Sequence, residues 1–410
     1  MKVFEKALSE HLRLHPRACA QDAVKFCYQA ARGAEHLLSD SVAGRKFFFD
    51  EFGEVKAADG EKWVPLYENL SEGYLRVNFA AWKAAGMKAE WLWNMFLFTV
   101  QGAAERRISA SGVENGVEND GGVEDVLDRY LEIAGRVYAE ARGEAGGQEW
   151  EKYIEVYRKM GKPALHHSDG YHEFERPAYR VVAREFEPAI RVLKAVAETR
   201  AAGASDKVSA GEKTGAGVSE CDVENANADA GESASERERE VKVVAIEGRA
   251  AAGKSTLAQV LRDVAGAAVV HADDFFLPPE MRTEDRIGAK AAPGGNVHYE
   301  RMIAEVLPRL REDEAFGYRV FDCATMRYGG TRVVPRSEIR VVEGSYVSHP
   351  ALGDYADVRV FVDVAQDEQL RRIEKRNGPR AAINFRNRWI PMEERFFAGV
   401  NLMKFVRIET

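Results

Sequence analysis

The residues best suited to chemistry lie in one short run, Gly248, Arg249, Ala250, Ala251, Ala252, Gly253, Lys254, Ser255 and Thr256. Gly248 to Ser255 has the spacing G-x-x-x-x-G-K-S. Glycines at both ends let the main chain curl until successive N–H groups face one point, where phosphate oxygens can sit. The apolar stretch Val241–Ile246 runs into this loop and the helical pattern LAQVLRDV follows it, which sets the positive end of a helix against an anion. Lys254 is then expected to reach the β- and γ-phosphates of a nucleoside triphosphate, and the Ser255 hydroxyl to ligate Mg²⁺. The expected small-molecule ligands are ATP and Mg²⁺.

A phosphate cradle needs carboxylates beside it. A second apolar stretch ends in His271, Ala272, Asp273, Asp274, Phe275 and Phe276. In an open parallel sheet, the C-terminal end of a neighbouring strand borders the ligand crevice. Asp273 is the expected general base for an acceptor hydroxyl and lies close enough to orient metal-bound water. Asp274 would support the metal or the loop; an Asp-capped surface turn is the alternative for the pair. Ile339 to Val342 ends in Glu343, expected to hold a Mg²⁺ water or, alternatively, to close a turn. Arg372 and Arg376 lie four apart in LRRIEKRNGPR and so share one helix face, either as a lid over the triphosphate or as a solvated basic face.

These residues need a scaffold, and the chain divides visibly. Ala201 to Glu240 has no aromatic residue, no Leu and no Ile, and carries ten acidic against four basic side chains. Most of the net charge of −8 sits there, and the segment cannot bury enough apolar surface to offset ordering. It reads as a flexible acidic tether. Before it, residues 1–200 read as mostly helical, with Val24, Cys27, Tyr28 and Ala31, then Trp91, Met95 and Phe98, at helical steps. Ser109 to Asp125 repeats GVEN and reads as a loop between helices. After the tether, short Val/Ile runs alternate with helical patterns over residues 241–410, predicting βαβ units and a parallel sheet. The expected architecture is thus a mostly α-helical domain, a linker over 201–240, and an α/β P-loop domain.

Composition narrows the classes. With 410 residues, 45% hydrophobic and 30% charged, the chain is an ordinary globular mixture. Lys and Arg number 58 against 66 Asp and Glu, so no basic field invites nucleic acid. No apolar stretch is long enough for a bilayer, and the N-terminus lacks a signal-peptide core. Cys19, Cys27, Cys221 and Cys323 show no paired spacing, which predicts a reduced, cytoplasmic protein without a disulfide framework. No NKxD-type guanine reader and no LSGGQ stretch follows the cradle, and about 170 residues is small for a motor; a small-molecule kinase fits that size.

Together GRAAAGKST, HADDFFLP, FDCATMRYGG, VVEGSYVSHPAL, FVDVAQDEQLRRIEKRNG and WIPMEERFF, in that order, resemble the uridine kinase and phosphoribulokinase-like branch of P-loop kinases. The resemblance covers Val241 to about Val406. It implies that Asp273 is the catalytic aspartate and that FDCATMR lines a nucleoside pocket. On the acceptor side it points to Asp274, Phe276, His298, Phe321, Asp322, Arg327 and Tyr346, with Asn296 and Arg301 in the same region; for Asn296, His298 and Arg301 individually a solvent loop is the preferred alternative. Phe321 stands where the family has Tyr, and Met326 where a base-contacting His is usual, so a pyrimidine would lose a polar partner at each place. The expected function is ATP-dependent transfer of the γ-phosphoryl group to a hydroxyl of a nucleoside-like acceptor. The alternatives are another small alcohol (a sugar, a glycerate-like acid or pantothenate) and an ATP-sensing module whose helical domain binds a partner. A homo-oligomer is compatible with either.

The first 200 residues are faintly similar to a helical domain found fused to such kinases, which implies no activity. His166, His167 and His172, with Asp169 and Glu173, and His36 after Glu35, are ligand-type residues. They lack HExxH or paired Cys/His spacing and read as surface or helix-end residues in preference to a metal site. WLWNMFLF reads as core.

Overall fold

The computed structural model describes residues 1–34, 41–58, 65–111, 121–163, 165, 179–211, 240–288 and 291–410, with backbone alone for 103–111, 121–125 and 203–211. It forms two compact units, Met1–Ile190 and Arg191–Thr410.

The first unit is built mainly of helices: α1 (Lys2–Leu14), α2 (Ala20–Arg32), α3 (Ser41–Glu54), α4 (Phe79–Ala84), α5 (Ala89–Ser111) and α6 (Gly121–Lys159). In α1, Phe4, Ala7, Leu8, His11 and Leu12 recur at helical steps and are all buried. Phe4 stacks on Tyr130 of α6 with ring centroids 4.0 Å apart, and burial of each such side chain contributes roughly 1.5–3 kcal/mol. The WLWNMFLF segment does form core through Trp91, Leu92, Trp93, Met95 and Phe96, whereas Phe98 is turned outward. An antiparallel sheet, not expected from the sequence, completes the unit: β1 (Tyr67–Asn69), β2 (Tyr74–Asn78) and β3 (Tyr179–Ala183) in the order β1-β2-β3. Its strands are only three to five residues long, and β3 is about a hundred residues from the β1–β2 pair, so no local alternation announces them.

Helix α7 (Glu187–Gly211) runs into the first residues of the segment expected as a linker. Ile190, Val192, Leu193 and Val196 are fully buried, so the helix is nucleated by packing, and the alanine-rich AAGASDKVSAG extends it cheaply. Residues 212–239 of that linker lie outside the described residues. So do His36, His166, His167, Asp169, His172, Glu173 and most of the GVEN repeat.

The second unit holds a five-stranded parallel sheet ordered β10-β9-β4-β8-β5, formed by β4 (Lys242–Gly248), β5 (Ala268–His271), β8 (Ile339–Glu343), β9 (Val358–Asp363) and β10 (Val406–Glu409). β4 is central and buried along its whole length, as a strand covered on both faces must be. Helices α8 (Lys254–Ala265), α9 (Glu284–Ile287), α10 (Tyr299–Glu305), α11 (Gln366–Asn377), α12 (Pro379–Asn384) and α13 (Ile390–Phe397) belong to this unit. A separate hairpin, β6 (Phe316–Asp322) with β7 (Arg327–Val334), carries the FDCATMR turn. Val243, Val270, Phe275, Tyr318, Phe361 and Phe396 share one apolar core under the carboxyl ends of the strands. Among the described residues no helix is long and apolar enough to cross a membrane.

Candidate functional site

The glycine-rich loop lies at the carboxyl end of β4 and opens directly into α8 at Lys254. Gly248 has φ +149, and a Cβ there would lie 2.2 Å from the Val362 carbonyl oxygen of β9, so only glycine lets the chain leave the sheet at this point. Ala251, in mid-loop, holds φ +57 without being glycine. The N–H groups of Gly253, Lys254 and Ser255 donate to nothing among the described residues, as the first turn of a helix requires, and remain available to an anion.

Lys254 is largely buried, and its ammonium donates to the carbonyls of Gly248 and Arg249 at 2.9 Å each, lying across its own loop. The Ser255 hydroxyl donates to the Glu343 carboxylate, 3.1 and 3.2 Å from its two oxygens. Glu343 ends β8 between Ile246 of β4 and His271 of β5 in register, and its Oε1 is 2.5 Å from His271 Nδ1. The following residue, Gly344, has φ +147, and a Cβ there would meet the Ala272 side chain at 2.6 Å.

Asp273 lies in the short turn Ala272–Phe275 after β5. Its carboxylate keeps accessible surface and makes no hydrogen bond or ion pair among the described residues. Crowding by protein and the negative charges of Glu343 and Asp274 raise its pKa, against the opposing pull of Lys254 and His271. A carboxylate with raised proton affinity and no partner is suited to take a proton. Asp274 points elsewhere: it is buried, accepts the Tyr318 hydroxyl at 2.8 Å and pairs with Arg332 Nε at 2.9 Å. It thus ties the turn to the β6–β7 hairpin.

Of the two α11 arginines expected over the triphosphate, Arg372 reaches the loop through its contact with the Ala251 carbonyl at 3.4 Å while pairing with Glu368 at 2.7 Å. Arg376 turns to its neighbour Asn377 and does not join the loop. The acceptor-side residues are dispersed. Phe321 is buried edge-on to Tyr328, and Asp322 caps its own turn by accepting from Ala324 N–H and the Thr325 hydroxyl. Arg327 is exposed opposite Asp322, while Phe276 bridges to Val297. His298 lies 3.0 Å from Glu300, and Arg301 pairs with Glu305. Tyr346 is buried at φ +66, its ring edge-on to Phe396.

Four acidic residues that sequence reasoning passed over shape the loop. Glu247, fully buried, accepts the N–H groups of Gly248, Tyr346 and Ser348 at 3.0 Å each, so one carboxyl joins the cradle to the loop after β8. Burial pushes its pKa up to about 7. Glu393 of α13, also buried and with its pKa raised by burial, accepts Ala250 N–H at 3.0 Å. Arg249 pairs with Asp363 at 2.7 Å and with Glu394 of α13. The signal for Glu247, an acidic residue closing an otherwise apolar strand, was present in the sequence; that for Glu393 and Glu394 was not, since Ala250 lies far from them along the chain.

No family model matches the chain, and no curated protein matches it. Among solved structures it is similar to one described as a possible uridine kinase from Bacillus stearothermophilus, at 16% identity with TM-score 0.32, covering 42% of this chain and 88% of that one. It is also similar to a candidate fructose transport system kinase from Silicibacter sp. TM1040, at 19% identity with TM-score 0.35, covering 43% of this chain and 91% of that one.

Proposed function

We propose that the second unit is an ATP- and Mg²⁺-dependent kinase that transfers the γ-phosphoryl group to a hydroxyl of a small, nucleoside-like acceptor. The observation carrying this reading is the occurrence together, at the carboxyl ends of β4 and β5, of free amides of Gly253 to Ser255 and an Asp273 carboxylate without a hydrogen-bond partner among the described residues, close enough to Lys254 to feel its charge. In this reading the amides and Lys254 bind the β- and γ-phosphates, the ammonium exchanging its two carbonyl partners for phosphate oxygens. Ser255 and Glu343 are oxygen donors already in contact, the set expected to hold Mg²⁺ and its waters; when bound, the ion neutralises charge on the transferring group. His271 orients Glu343. Asp273 accepts the proton of the acceptor hydroxyl, and Arg372 stabilises the equatorial oxygens. Positioning and charge supply most of the rate, because no covalent enzyme intermediate is needed.

A second acceptor class, another small alcohol, is favoured by Phe321, which is buried against Tyr328, and by apolar Met326. Neither residue supplies the polar group that reading a pyrimidine requires. The test is incubation of the full chain with labelled ATP, Mg²⁺ and a panel of nucleosides and small alcohols. Transfer to a nucleoside supports the first reading and transfer to a sugar or acid the second. ATP binding without transfer to any acceptor rejects both in favour of a nucleotide sensor.

A further inference from the structure

The first unit contains a convergence of ligand-type atoms unrelated to the phosphate cradle. His11 lies in the last turn of α1 and His15 caps that helix's C-terminus, in HLRLH. Opposite them stands Glu68, the middle residue of β1 and the one whose side chain turns inward. Glu68 Oε2 is 2.8 Å from His11 Nδ1, and Oε1 is 2.9 Å from His15 Nε2. The Tyr179 hydroxyl, on the first residue of β3, is 2.9 Å from Glu68 Oε1 and 3.3 Å from His15 Nε2. His11, His15 and Glu68 are 1%, 8% and 7% exposed. Their candidate donor atoms all fall within 4.8 Å of one another.

We propose that His11, His15 and Glu68 form a binding site for a divalent transition metal, with Zn²⁺ as the ion the donor set suits. Two imidazole nitrogens and one carboxylate oxygen are a three-protein-ligand set for zinc, leaving a fourth position, here on the side of Tyr179. A tetrahedral ion about 2.0–2.1 Å from each donor needs donors roughly 3.3 Å apart. The two imidazole–carboxylate separations, 2.8 and 2.9 Å to different oxygens of Glu68, are shorter than this, and all the donors fall within 4.8 Å, so an ion entering between them must spread the carboxylate from the imidazoles by side-chain rotation. The surroundings match what orients metal ligands elsewhere. Phe26 stacks on the His11 ring at 4.9 Å, and the Arg76 guanidinium lies 3.9 Å from Glu68 Oε2 and over the Tyr179 ring at 4.4 Å, in position to hold the carboxylate's orientation. Arg76 also contacts His11 Nδ1 at 3.4 Å, a positive charge that opposes a cation there and that the Glu68 carboxylate must offset. The competing arrangement is a purely hydrogen-bonded knot of the same side chains. The two differ in whether the protein takes up metal.

The experiment uses the full chain, stripped with a chelator and then titrated with Zn²⁺ in competition with a chromophoric indicator, with metal content read after desalting. One equivalent of tightly held Zn²⁺ is expected. Glu68→Gln and His15→Gln should each weaken it at least tenfold, while Glu343→Gln, which removes the acidic donor of the phosphate-cradle unit, should leave it in place. Because a buried variant can fail to fold, Co²⁺ is also added to the unsubstituted chain, where tetrahedral N/O coordination should give visible d–d bands that Zn²⁺ abolishes. An unsubstituted chain that takes up no Zn²⁺ and shows no Co²⁺ bands overturns the proposal. So does a bound equivalent that survives Glu68→Gln in a folded protein.

Discussion

His271 and Glu343 meet across adjacent parallel strands, Nδ1 to Oε1 at 2.5 Å, and the same carboxylate accepts the Ser255 hydroxyl. The register puts these groups at strand ends where the sheet stops and a ligand can enter. Ser255→Ala removes the hydroxyl while leaving Glu343 held by His271. The Mg²⁺ concentration for half-maximal phosphoryl transfer should rise about tenfold or more, and metal-free nucleotide binding should change little. A Mg²⁺ titration at fixed ATP checks this.

Lys254→Ala should weaken ATP binding at least tenfold, about 1.4 kcal/mol or more. Its ammonium also bridges two loop carbonyls, so thermal unfolding is recorded alongside calorimetric titration. Unchanged affinity in a folded variant would remove the cradle from the reading.

Asp273→Asn should lower kcat by roughly 10²–10⁴-fold, the range for losing a general base, with the ATP Kd within about twofold of the original. Because the carboxylate makes no hydrogen bond or ion pair among the described residues, the separation is clean: no such partner is lost with the charge. Single-turnover transfer and equilibrium nucleotide titration measure the two quantities separately.

Glu247 links stability to pH. Burial raises its carboxyl from 4.5 to about 7, so the folded chain holds a proton that the unfolded chain releases. Its contribution is fully present below about pH 4.5 and is lost as pH rises through about 7, by at most roughly 1.4 kcal/mol per pH unit. Lys254, Tyr299, Tyr346 and Tyr355 are its charged or titratable neighbours. Glu247→Gln should flatten the fall in melting temperature between about pH 5 and 8, as read by thermal scans across that range.

In the first unit, Trp82 is fully buried and donates its indole N–H to the Lys88 carbonyl at 3.0 Å. Trp82→Ala should destabilise that unit by about 3–5 kcal/mol through cavity formation, seen as a lower denaturant midpoint.

What the sequence disclosed and what it hid follow one physical line. The strand, the glycine turn and Lys254 are local, so Gly248 to Ser255 could be read from spacing alone. Asp273 and Glu343 were legible because each closes an apolar run. Glu393 bonding Ala250, and Glu68 gathering His11 and His15, arise only when distant segments meet. No periodicity encodes such meetings. That α7 continues beyond residue 201 was hidden because composition was read without the buried face that nucleates the helix. Asp274 beside Asp273 was also ambiguous, since adjacent residues in a turn can face opposite ways.

Ala251 holds a left-handed backbone that alanine disfavours, flanked by Ala250, tethered to Glu393, and Arg249, tethered to Asp363 and Glu394. The curvature of the hollow is therefore fixed during folding, before any guest arrives. On the proposed reading, a polyanion would meet a main chain already curved, and little of its binding energy would be consumed in shaping the backbone around it.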